Sequence, residues 1–150
     1  MARCDVTYST GTRLPASWWQ GYIRKTQRVV GKQLGEISVA IVSSAEIKRL
    51  NRTYKNNDSV TDVLSFADRD MQDARLKTKH YSGEIIICYQ RAKQQAKQFK
   101  HTIREELGLL FVHGLLHILG YDHITAREAK KMRDFEAKIL GSTISRTEGC

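Results

Sequence analysis

Proline occurs once in this chain, at Pro15, and cysteine only three times, at Cys4, Cys88 and Cys150. An odd number of cysteines at no metal-like spacing excludes a disulfide scaffold and points to a reducing compartment. Long apolar runs are missing too. The longest, Leu107 to Leu119, is too short to span a bilayer and carries two histidines, so no membrane partner is expected. The opening Met-Ala-Arg-Cys-Asp-Val has no apolar stretch of the secretory kind. These absences together predict a soluble, cytoplasmic protein. Internal repeats, low-complexity segments and linkers are absent as well. The remaining composition, 41% apolar and 27% charged, excludes a disordered or collagen-like chain. A chain of 150 residues buries about 70% of its unfolded surface, so residues 1–150 are expected to fold as one domain without cross-links.

Acidic residues are also in short supply, 16 against 25 Lys and Arg, for a net charge of +9. The imbalance is uneven. Residues 1–50 hold 8 basic and 3 acidic side chains, residues 51–100 hold 10 and 6, and residues 101–150 hold 7 and 7. The basic surface therefore comes from the first two thirds, and such an excess favours an anionic partner, nucleic acid being the usual one.

Periodicity gives alternating strands and helices. Val6 and Tyr8 mark a first short strand. Pro15 and Ser17 open a helix on Trp18, Tyr22, Val29 and Val30, with Gly35 as its stop. Ile37, Val39 and Ile41 alternate as a strand. Ser43 with Glu46 reads as a capping box for a helix on Ile47, Leu50 and Tyr54. A turn at 56–59 leads into the strand Val63–Phe66; residues 68–80 read as a surface loop, and Ile85–Cys88 as a buried strand. Three more helices follow. The first, over about 89–100, carries Lys93, Lys97 and Lys100 as a stripe. The second starts at a Thr102/Glu105 capping box, is apolar nearly all round, and is expected to be the buried central helix running to Leu119. The third opens at Thr125/Glu128 and stops before Gly141. The pattern predicts an α+β domain with about five helices.

The chemistry concentrates in His113-Gly-Leu-Leu-His117-Ile-Leu-Gly120-Tyr-Asp-His123. Four residues along a helix advance the azimuth by about 40° and the axis by about 6 Å, so His113 and His117 project from one face. Gly120 lets the chain double back, and the turn can return His123 as a third ligand. Three imidazoles suit one Zn²⁺ ion and leave a fourth position open, the layout of a catalytic site. A single buried histidine is ordinarily a core residue, but an unliganded pair on so apolar a helix would lack polar partners. His80 and His101 lie in polar surroundings and read as surface residues. The spacing is similar to the metzincin zinc helix. That pattern, however, has a general-base Glu after the first histidine where this chain has Gly114, which disfavours a peptidase.

The histidine run also resembles the signature of the YbeY family of endoribonucleases. Two upstream blocks extend the likeness: Leu50-Asn51, Tyr54-Lys55, Asp58 and Thr61-Asp62-Val63-Leu64-Ser65-Phe66, then Gly83-Glu84-Ile85-Ile86-Ile87-Cys88. The resemblance implies a small mixed β-sheet, one zinc ion on His113, His117 and His123, and a basic cleft for single-stranded RNA. It further implies maturation of the 3′ end of small-subunit ribosomal RNA. Small-subunit ribosomal proteins and a ribosome-assembly GTPase are the implied partners. The chain departs from the family pattern at Lys55, where the family has arginine, at Val60 and Ala67, where it has prolines, and at Glu84, where it has aspartate. Lysine keeps the positive charge but lacks the two-pronged grip of a guanidinium on phosphate.

On this reading Lys55 is the catalytic candidate, a positive charge for the transferring phosphate. Lys93, Lys97 and Lys100 are the candidate RNA-backbone contacts. Asp122 either orients a histidine or shapes the turn. The sequence leaves two alternatives open: a non-catalytic, zinc-stabilised ribosome-assembly factor, and a zinc hydrolase of another substrate class.

Overall fold

A computed structural model describes residues 3–68, 81–122 and 124–141. The chain runs β1 (Cys4–Tyr8), α1 (Ala16–Val30), β2 (Glu36–Val42), α2 (Ser44–Lys55), β3 (Val63–Ala67), β4 (Tyr81–Cys88), α3 (Tyr89–Gln98), α4 (Ile103–Ile118) and α5 (Ala126–Leu140). Four strands form one mixed sheet in the order β1-β2-β4-β3. β1 and β4 flank β2 in parallel, and β3 closes the edge antiparallel to β4. The α+β architecture with five helices is the one the sequence pattern implied.

Alternation along the strands sorts side chains onto two faces. Ile37, Val39, Ile41, Ile85 and Ile87 face the larger core, which contains Trp19 and Ile23 of α1, Leu110, Phe111, Leu115 and Leu116 of α4, and Met132 and Ile139 of α5. Val42, Leu64, Ile86 and Cys88 face the smaller one, covered by Ile47 of α2. β4 is therefore buried on both sides, which explains its unbroken apolar run. α4 buries eleven of its sixteen residues, as expected of a helix apolar nearly all round. No helix among the described residues is long and apolar enough to cross a membrane.

Several local readings are corrected. α1 ends at Gly31, not Gly35. Gly31 adopts φ 78° and its N–H caps the Gln27 carbonyl, while the Gly35 N–H goes to Ser82 Oγ at 2.6 Å. Of the three expected capping boxes only Thr102/Glu105 closes in both directions, at 2.9 and 3.0 Å. Ser43 does cap α2, but the Glu46 carboxylate turns away, to Ser9 Oγ at 3.4 Å and Arg49 at 4.0 Å. Tyr54, expected among the apolar positions of α2, is 65% exposed. His101, read as a surface residue, is only 8% exposed, its Nδ1 3.5 Å from the buried Glu106 carboxylate. The 68–80 loop beyond Asp68, and His80 with it, lies outside the described residues.

Candidate functional site

The histidine helix is defined at both ends. Its start is the reciprocal Thr102/Glu105 box. At its end the Tyr121 N–H reaches the Leu116 carbonyl at 2.9 Å and the Gly120 N–H reaches His117 O at 3.0 Å. This pair of bonds is a Schellman closure, and it requires a left-handed residue at Gly120, whose φ is 101°. The chain thus leaves α4 in a sharp reversal directly after His117. Within the helix, Gly114 lies against β4. A Cβ there would sit 3.0–3.1 Å from Cδ1, Cγ1 and Cγ2 of Ile85. The place of the metzincin general base is therefore closed by core packing, which is why the peptidase carboxylate has no room.

His113 and His117 share a face as their spacing requires. Their rings meet edge-to-face, with centroids 4.6 Å apart and planes at 77°. The two Nε2 atoms converge to 3.1 Å. On the far side of His113, Nδ1 lies 2.8 Å from Oε1 of Glu136 on α5, both side chains about a quarter exposed or less. A carboxylate only accepts, so Nδ1 carries the proton and the Nε2 lone pair is left facing His117. Two imidazoles bound at about 2.0–2.1 Å to one tetrahedral ion hold their nitrogens about 3.3 Å apart. The donor pair and its spacing fit a metal. Among the described residues no group of three or more His, Cys, Asp or Glu side chains is assembled for an ion, and His123, the expected third ligand, lies outside them.

Glu136 is the functional residue that sequence reasoning missed. A carboxylate that meets His113 comes from α5, sixteen residues after the reversal at Gly120. A signal existed: Met132, Ile139 and Leu140 form the buried stripe of α5, and Glu136 falls on that stripe at helical spacing, an acid where core residues belong.

Lys55 ends α2 with its Nζ 4.9 Å above the Phe66 ring. Phe66 packs on the α2 side of the sheet, whereas α4 packs on the other, so Lys55 lies against the edge strand β3 on the face opposite the histidine helix. The loop between α2 and β3 is tied down by Asn51 and Asp62, both in the first of the two upstream blocks. Buried Asn51 donates to Ser59 O at 3.1 Å. Asp62 accepts from Val63 N at 2.8 Å and from Gln95 Nε2 of α3 at 3.2 Å. Glu84, paired with Phe66 across the ladder, has its carboxyl pushed above the usual range by burial.

Of the three lysines expected along α3, two lie on the helix one turn apart and the third lies past its end. Lys93 and Lys97 are exposed on the helix, with Lys93 Nζ 5.9 Å from the Tyr89 ring. α3 stops at Gln98, and Lys100 sits beyond it with a left-handed φ of 58°. α3 ends before Lys100 because the chain turns there to start α4.

Fold and site together define an α+β domain that presents a paired imidazole, supported by a carboxylate, on its central helix. The model of one family, described as Endoribonuclease YbeY, matches residues 11–143. A protein named Endoribonuclease YbeY from Staphylococcus carnosus is 39% identical over 148 residues, 93% of this chain and 95% of its own. One of the same name from Finegoldia magna is 47% identical over 105 residues, covering 70% and 67%. The solution structure of TM1509 from Thermotoga maritima superposes with a TM-score of 0.57 at 24% identity, covering 98% of this chain and 99% of that one. The chain belongs to the Endoribonuclease YbeY family, enzymes that hydrolyse RNA phosphodiester bonds.

Proposed function

We propose that this chain is a zinc-dependent endoribonuclease of the cytoplasm that cleaves single-stranded RNA during maturation of the small-subunit ribosomal RNA 3′ end. The convergence of His113 and His117 Nε2 to 3.1 Å, beside a carboxylate on His113 Nδ1, carries the metal part of this reading. Family membership carries the RNA part. His113 and His117 hold one ion, with His123 as the third ligand. When bound, the ion supplies Lewis acidity for attack on a phosphodiester at neutral pH. Glu136 keeps the Nδ1 proton of His113 in place, so that its Nε2 lone pair stays directed at the site. Lys55 brings a positive charge to the phosphate as charge builds on its oxygens. Lys93, Lys97 and Lys100 add contacts to the RNA backbone. Small-subunit ribosomal proteins and a ribosome-assembly GTPase are the protein partners this role entails.

The test is metal analysis of the purified protein, paired with cleavage of an unstructured RNA before and after chelation. One zinc per chain, and cleavage that stops on chelation and returns with zinc, is the expected result. Cleavage that persists at full zinc removal overturns the zinc-enzyme reading. Zinc-loaded protein that binds the small subunit but cuts no RNA supports the non-catalytic assembly factor instead.

A further inference from the structure

α2 carries four cations and a single acid on the sheet face opposite α4. Its exposed residues include Lys48, Arg49, Arg52 and Lys55. The only acid within it, Glu46, is engaged by Ser9 and Arg49. Lys48, Arg52 and Lys55 recur at intervals of four and three, so they share a face and extend over about 10 Å of helix. Beside them Ala45, Lys48, Arg49, Arg52 and Asp58 line a shallow, open depression. Asp58, at its rim, is the one carboxylate lining the depression.

At the carboxyl-terminal end of this row the surface changes character. Tyr54, 65% exposed, stands edge-to-face on Phe66 with ring centroids 5.7 Å apart. Lys55 covers the same ring from 4.9 Å. A large aromatic held in place by a second ring, yet open to solvent, offers a stacking surface that an unpaired base can use. Phe66 belongs to β3, the edge strand against which α4 packs. The cationic row therefore ends at the aromatic pair, on the edge strand of the sheet.

We propose that the outer face of α2 docks single-stranded RNA, with Lys48, Arg49 and Arg52 holding backbone phosphates, and that the strand turns round the end of the helix to stack a base on Tyr54 beside Phe66. This inference rests on the endoribonuclease reading and extends it to a surface away from the histidines. The combination of cations with an exposed aromatic selects a nucleic-acid strand over an acidic polypeptide, which would use the charges but leave Tyr54 idle. Backbone contacts of this kind are read by salt: each phosphate neutralised on a single strand contributes about 0.7 to the slope of log affinity against log salt.

The experiment compares binding of a fluorescent, unstructured RNA by zinc-loaded parent, the triple variant Lys48→Gln/Arg49→Gln/Arg52→Gln, and Tyr54→Ala across a salt series. Arg24→Gln/Arg28→Gln, two exposed α1 residues, serves as a control for the loss of surface cations elsewhere, with slopes compared per charge removed. The triple variant is expected to lose about 2 from the slope. Tyr54→Ala is expected to weaken binding about tenfold with the slope unchanged, within the range for one base–aromatic stack. The α1 variant is expected to match the parent. A parental slope in the triple variant, or an equal change per charge in the α1 variant, overturns the docking face. Equal displacement of the RNA by polyglutamate from parent and Tyr54→Ala also overturns it, in favour of an acidic-protein patch. Failure of the parent to bind or cut RNA would instead overturn the endoribonuclease reading.

Discussion

Removing the Glu136 carboxylate should loosen the metal without unfolding the protein. The bond from His113 Nδ1 to Glu136 Oε1 is 2.8 Å long and lies in a partly buried setting, with side chains 24% and 20% exposed. In Glu136→Ala nothing at that position holds the Nδ1 proton, so the ring samples both tautomers and turns more freely. Loss of such a carboxylate partner lowers metal affinity by about 10–100-fold, which corresponds to about 1.4–2.7 kcal/mol. Glu136→Gln should fall between parent and alanine, because its amide oxygen still accepts the proton but without charge. The assay is competition for zinc with a chromophoric chelator, alongside thermal unfolding of the metal-free proteins. Nitrogen NMR of metal-free His113 should show the Nδ1–H form dominant in the parent and mixed in Glu136→Ala. Parental zinc affinity and a parental tautomer in Glu136→Ala would refute the reasoning.

Three other outcomes follow from the same geometry. Lys55→Ala should slow single-turnover cleavage by about 10²–10³-fold with zinc content intact, whereas Lys55→Arg should keep or raise the rate; a parental rate for the alanine variant removes Lys55 from catalysis. Gly114→Ala should destabilise the fold by about 1–3 kcal/mol, measured by denaturant unfolding, because Ile85 is branched at the point where its atoms stand 3.0–3.1 Å from the new Cβ. Burial raises the Glu84 carboxyl above its ordinary value, so the folded state binds more protons than the unfolded one in the interval between the two values. Stability from this group is full below the ordinary value and is lost as pH rises through the raised one. Glu84→Gln should therefore gain on the parent in unfolding experiments as pH climbs from about 4 to 7, and an unchanging difference across that range would contradict the assignment.

What was legible in the chain was what is local. The 113/117 spacing alone determined that two imidazoles share a face, and Gly120 alone marked the reversal, because helix geometry and left-handed φ act over a few residues. The two-sided burial of β4 was visible in its unbroken apolar run. Glu136 was not found because its role depends on α5 packing on α4, a contact that no local pattern encodes; only its position on an apolar stripe hinted at it. His101 was misplaced for the same reason: polar neighbours in sequence say nothing about the buried Glu106 carboxylate beside it. Tyr54 fits an apolar period and yet faces solvent, since α2 needs only Ile47 and Leu50 to cover its small side of the sheet. Lys100 falls outside α3 because a new capping box begins two residues later, at Thr102, and the chain must turn before it.

The central claim is that the histidine pair holds the metal on which RNA cleavage depends. Its most direct test is His117→Ala beside the parent, with zinc quantified and single-turnover cleavage of an unstructured RNA measured on the same samples. One zinc per chain with cleavage in the parent, and loss of both in a variant that remains folded, is the predicted result. Cleavage at the parental rate by a folded, zinc-free His117→Ala would contradict it.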